Sequence, residues 1–67
     1  MSTTIEGFEI APCPIYTEGF WLAKAVVESK DEAAVCQDSN EFIDYAEAEV
    51  ASLELGRRWV WSRRKAK

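Results

Sequence analysis

The segment Asp38–Gly56, DSNEFIDYAEAEVASLELG, constrains the fold most, because a start signal, a helical period and a stop signal coincide in it. At about 100° per residue, Phe42, Ala46, Val50 and Leu53 fall within roughly a quarter-turn of one another, with Ile43 on the same side. That pattern predicts a helix whose apolar stripe faces a core. Asp38 and Glu41 have the spacing of a capping box, and Asp44 adds negative charge near the positive end of the helix dipole. Gly56 can take the left-handed conformation that ends helices.

The rest of the chain reads as sheet laid against that stripe. Met1–Glu6 has no apolar period and is expected to be a frayed lead-in. Gly7–Ala11 alternates Phe8 and Ile10 with Glu9, as a half-buried strand does, and Pro12 and Pro14 then forbid a regular ladder. Tyr16–Gly19 is a turn. Phe20–Glu28, FWLAKAVVE, is the strongest strand, with Trp21, Ala23, Ala25 and Val27 on one face and Phe20, Leu22, Lys24 and Val26 on the other. The small alanines leave room for a helix to approach closely, which assigns the first face to the core. The second face carries more apolar surface than a solvated strand needs, so Phe20, Leu22 and Val26 are a candidate partner or homodimer patch, unless an N-terminal segment covers them.

Ser29–Glu32 fits a hairpin turn or the start of a short helix; the hairpin is preferred, with Ala33–Gln37 as a third strand. After Gly56, Arg57–Arg64 alternates Trp59 and Trp61 with Arg58, Val60 and Ser62, which predicts a last strand ahead of a basic end at residues 65–67. The expected fold is α+β, a single domain spanning residues 1–67. It has a small antiparallel sheet of three to four strands and one helix on one face, in the order strand, strand, strand, helix, strand.

Charge divides the chain. Residues 1–56 hold all 12 acidic residues against only Lys24 and Lys30, while residues 57–67 hold the other six bases, and the net charge is -4. No apolar run approaches the roughly 20 residues that cross a bilayer, and the N-terminus lacks the features of a secretion signal, so the expected location is cytoplasmic with no membrane contact. Cys13 and Cys36 are too far apart to form a metal knuckle and the chain has no histidine, so no metal site is expected. Free thiols are favoured over a Cys13 to Cys36 disulfide in a reducing compartment, although the spacing allows either.

Catalysis is the class the residues support least. The commonest general base is missing, no Ser or Cys has an evident activating partner, and no glycine-rich loop precedes a helix. No enzyme activity and no cofactor are expected. Three candidate surfaces remain. Asp44, Glu47 and Glu54 lie off the apolar stripe and can dock a basic protein partner, or can be an ordinary solvated face. Phe20, Leu22 and Val26 form the apolar patch. Arg57, Arg58, Trp59, Trp61, Arg63, Arg64 and Lys65 interleave arginine with tryptophan, as surfaces that hold phosphates and stack bases do. Against nucleic acid stand the acidic body and the need of a thin core for the tryptophans.

In size, acidity and lack of histidine the chain resembles the small accessory inhibitors carried by phages and mobile elements, anti-CRISPR proteins among them. That resemblance implies a non-enzymatic protein that masks host nucleic-acid machinery. The strand, strand, strand, helix order, the glycine before the second strand and the helix rich in Glu and Ala are similar in outline to the HicB antitoxin domain. Neither resemblance assigns a role to a particular residue. The expected function is that of an acidic interaction protein which masks or bridges a macromolecular partner, with a nucleic-acid-binding module as the alternative.

Overall fold

The computed structural model describes the backbone of residues 2–65 and the side chains of residues 2–63. Two Glu-Gly pairs set the first half of the chain. Glu6 and Gly7 have φ of 52° and 84°, and Glu18 and Gly19 have φ of 49° and 93°. Two consecutive positive φ values are what a tight two-residue hairpin loop demands, and glycine at the second position meets half of that demand without strain. The first pair joins β1 (Thr3–Ile5) to β2 (Phe8–Pro12), with Ile5 opposite Phe8. The second joins β3 (Ile15–Thr17) to β4 (Phe20–Glu28), with Thr17 opposite Phe20. The expected lead-in at residues 1–6 is therefore a strand from Thr3 onward, because pairing through the turn supplies the order that its own sequence does not.

Pro12 and Pro14 cannot donate to a ladder, and they split what would be one long strand into β2 and β3. Both pieces run antiparallel along the same side of β4, and the Cys13 N–H donates to the Lys24 carbonyl at 2.8 Å between them. At the far end of β4 the expected hairpin forms: the Ser29 N–H donates to the Glu32 carbonyl at 2.8 Å, and the Asp31 and Glu32 N–H groups both reach Ser29 Oγ at 3.3 Å. The strand that follows, β5 (Ala33–Phe42), is twice as long as the Ala33–Gln37 stretch expected, since Asp38–Phe42 continues it. Asp38 and Glu41 consequently cap no helix. Asp38 instead accepts from the Asn40 N–H at 3.3 Å and from Asn40 Nδ2 at 3.2 Å, closing an irregularity in which Ala23 of β4 faces three residues of β5.

One helix, α1 (Tyr45–Lys65), returns across the sheet. Its first turn is marked by the Ala48 N–H donating to the Asp44 carbonyl at 3.1 Å. At about 1.5 Å per residue its 21 residues span roughly 31 Å, about the length of the nine-residue β4 beneath it. The fold class is α+β, an antiparallel five-stranded sheet with one helix on one face. The order differs from expectation: all strands precede the helix, and Arg57–Lys65 is helical rather than a closing strand. Gly56 sits in the middle of the helix, not at its end.

The core explains that glycine. Helix positions Ala48, Ser52, Gly56 and Val60, four residues apart, are buried against Ala23, Ala25 and Val27 of β4 and Ile10 of β2. Small residues thus face small residues, and the helix seats close to the sheet. A Cβ on Gly56 would run into Ile10 Cγ2. The expected core face of β4 is the one observed, whereas the expected helix stripe is not: Ile43 is 84% and Val50 63% exposed, and Phe42 belongs to β5. Leu53 alone of that stripe packs on the core cluster.

Candidate interaction surface

From Asp31 to Glu54, across β5 and the first half of α1, the chain carries eight acidic residues and no base. Three of the large apolar side chains left most exposed lie where β5 meets α1, Ile43, Tyr45 and Val50, while Val35, exposed as well, points to the sheet face away from the helix. A surface that is both acidic and apolar differs from a solvated face, which has no use for exposed valine and isoleucine. Where β5 hands over to α1, Phe42, Ala46, Glu47 and Val50 line a shallow apolar recess with a single carboxylate at its rim. Beside it the Trp21 ring lies edge-on between Tyr16 and Tyr45, with centroids 5.1 and 4.9 Å away, so this end of the molecule is stiffened by aromatic contacts.

Of the acidic residues singled out from sequence, Glu47 and Glu54 lie two turns apart on the outward side of α1, and Asp44 is exposed just before the helix begins. Glu54 is half-buried. Of the three, Glu47 is the one that lines the recess. Val35, Phe42, Ile43 and Tyr45 were not singled out, although the unbroken run of acids without a base was a signal that could have found them.

The second candidate patch lies on the opposite face of the sheet. Register places Leu22 opposite Ile15 and Val26 between Ala11 and Val35, with Phe20 next to Thr17 on the same side. Among the described residues no segment covers this face, since the N-terminal strand joins the sheet instead of crossing it. Lys24 stands in the middle of it opposite Gln37, and Glu9, Glu28 and Glu41 stand around it.

The third candidate is divided by the helix. Trp59 turns inward, its ring 5.4 Å from that of Phe8 and nearly perpendicular to it. Arg63 sits over the Trp59 ring at 5.3 Å and places one terminal nitrogen 2.6 and 2.7 Å from the two Glu32 oxygens. Arg57, Arg58 and Trp61 remain exposed on the outer side. The side chains of Arg64 and Lys65 and the rest of the expected basic end at residues 65–67 lie outside the described residues.

Cys13 and Cys36 are free thiols on opposite faces of the sheet, which rules out a bond between them in this fold. Burial pushes the Cys36 thiol above its usual range. Among the described residues no three carboxylates or thiols are grouped to hold a metal ion, and no helix is long and apolar enough to cross a membrane. Comparison with protein-family models, with curated proteins and with solved structures finds no match to this chain.

Proposed function

We propose that the protein is a non-enzymatic interaction module, acting in the cytoplasm, that masks or bridges a macromolecular partner by docking a basic protein surface on β5 and the first half of α1. The observation that supports this is the run of eight acids and no base between Asp31 and Glu54, with Ile43, Tyr45 and Val50 exposed where β5 meets α1. Carboxylates around an apolar centre speed encounter with a basic partner and reject acidic ones, while the apolar contact supplies the affinity. Masking of a basic, nucleic-acid-binding surface on host machinery, as phage-borne inhibitors do, is the form of this function that the charge layout suits best.

The test is affinity capture from the native host with a nuclease-treated control, run beside Asp44→Lys, Glu47→Lys and Glu54→Lys combined. A partner that survives nuclease, binds the native chain and is lost from the reversed one supports the proposal, provided the circular dichroism spectra agree. A partner that binds both chains alike sinks it. A second reading, nucleic-acid binding through the helix C-terminal half, rests on the exposed Arg57, Arg58 and Trp61.

A further inference from the structure

Among the described residues, three strands of the sheet have an unpaired side, and they are not alike. β1 and β3 have three residues each, whereas β5 has ten and pairs only with β4. Proteins usually protect a long edge with lysine, proline or an early bulge. None of these guards the first half of β5: Ala33–Gln37 is uncharged and regular in register, and its irregularity comes only at Asp38–Asn40. Val35 is 62% exposed there, on the sheet face away from the helix. Along the same edge of the molecule the helix presents Ala46, Val50 and Leu53, an apolar flank that continues the recess at Phe42. A bare strand edge beside an apolar overhang is what an added strand requires, because backbone groups pair along the edge and alternate side chains turn under the overhang.

We propose that the free edge of β5 takes an extended segment of a partner protein as a further strand of the sheet, the segment alternating apolar residues with lysine or arginine. This deepens the proposed function and rests on it. Charge selects the occupant. A second copy pairing antiparallel through its own β5 would bring Asp31 and Glu32, just ahead of the strand, against Asp38 and Glu41, and of these acids Glu32 has Arg63 beside it while the strand itself carries no base. A basic strand meets the same acids with opposite sign.

The probe is an end-blocked octapeptide of alternating lysine and valine, with a glutamate and valine counterpart as control, titrated against the full chain while amide exchange is followed residue by residue. The expected result is binding of the lysine peptide only, with slowed exchange in Ala33–Gln37. Val35→Lys, at an exposed position that leaves the core intact, is expected to weaken binding by at least about tenfold. Failure to bind the lysine peptide, equal binding of the glutamate peptide, or protection confined to the helix overturns strand addition. So does self-association of the native chain that Val35→Lys abolishes, which would make a second copy the occupant. If Val35→Lys has no effect but Glu47→Lys with Glu54→Lys abolishes binding, strand addition fails and the acidic docking surface survives. If neither change matters, both fall.

Discussion

Ser52 ties the helix to the sheet through Lys24: its Oγ accepts the Lys24 backbone N–H at 3.0 Å while donating to the Ala48 carbonyl at 2.7 Å. Both bonds are made by a side chain with no exposed surface. Lys24 stands beside the break between β2 and β3, where its carbonyl accepts from the Cys13 N–H, so a helix hydroxyl supplies an acceptor at a place where the ladder is interrupted. Ser52→Ala leaves the Lys24 N–H buried without that acceptor and is expected to cost about 1–3 kcal/mol, even though alanine is the better helix former. A urea midpoint unchanged from the native chain, at equal slope, would refute the tie.

Gly56 supplies the second test of the same interface. Alanine in mid-helix ordinarily gains about 1 kcal/mol over glycine. Here the added methyl meets the fully buried Ile10 Cγ2, and overpacking of that kind costs about 1–3 kcal/mol. Net destabilisation is expected for Gly56→Ala. Ile10→Ala should relieve the clash, so the double variant should lose less than the two single losses added together. Additive losses in denaturant unfolding would place the helix further from the sheet.

These two residues also explain what could be read in the chain and what could not. The alternation Trp21, Ala23, Ala25, Val27 is an apolar period of two and marked the covered face of β4 directly. The helix face that meets it is Ala48, Ser52, Gly56 and Val60, chosen for smallness rather than apolarity, so periodic hydrophobicity pointed to Phe42 and Val50 instead. Gly56 resembled a helix stop because close approach to Ile10 and a left-handed turn ask for the same residue. Once the helix was ended there, the alternating Trp59 and Trp61 looked like a strand, although arginine and tryptophan both tolerate a helix that packing already fixes. At the surface, the three carboxylates could be named from their distance to the apolar stripe. The exposed Ile43 could not, since it reads as part of a helix that begins only at Tyr45, and Val35 could not, since it lies on the sheet face away from that helix.

The helix face itself is checked by comparing two valines. Val60 is 2% exposed in the core cluster and Val50 is 63% exposed at the recess. Val60→Ala is expected to cost about 2 kcal/mol through lost burial and the cavity left behind. Val50→Ala should stay within about 0.5 kcal/mol, as surface changes do. Thermal unfolding separates them by several degrees in a domain of this size. Equal shifts would mean that the helix is rotated from the face described.

The two thiols should differ in reactivity. Burial raises the Cys36 thiol, so its thiolate fraction near neutral pH is reduced, and the sheet and helix also limit access to it. Cys13 is exposed. Iodoacetamide is expected to label Cys13 first under native conditions, and the Cys36 rate should climb as pH rises toward its elevated pKa. Mass spectrometry of partly labelled chain decides the order; simultaneous labelling would contradict the burial of Cys36.

The last prediction weighs the basic half of α1. Phosphate binding needs several cations free to approach one strand, and base stacking needs an open aromatic face. Trp59 has given its ring to Phe8 and Arg63, and Arg63 holds Glu32, so the exposed cations among the residues described are reduced to Arg57 and Arg58. The exposed Arg63–Glu32 pair adds only about 0–1 kcal/mol, and its chief effect is to occupy that cation. Even with Arg64, Lys65 and Lys67 added to Arg57 and Arg58, all 12 acidic residues of the rest of the chain and a net charge of -4 oppose the approach of a polyanion. Single-stranded nucleic acid is therefore expected to bind weakly or not at all at about 0.15 M salt, where charges act over roughly 8 Å. Glu32→Gln frees Arg63 and should strengthen whatever binding is seen at low salt. A sub-micromolar affinity at 0.15 M salt that Arg57→Ala and Arg58→Ala abolish would overturn the protein-docking proposal in favour of the nucleic-acid one.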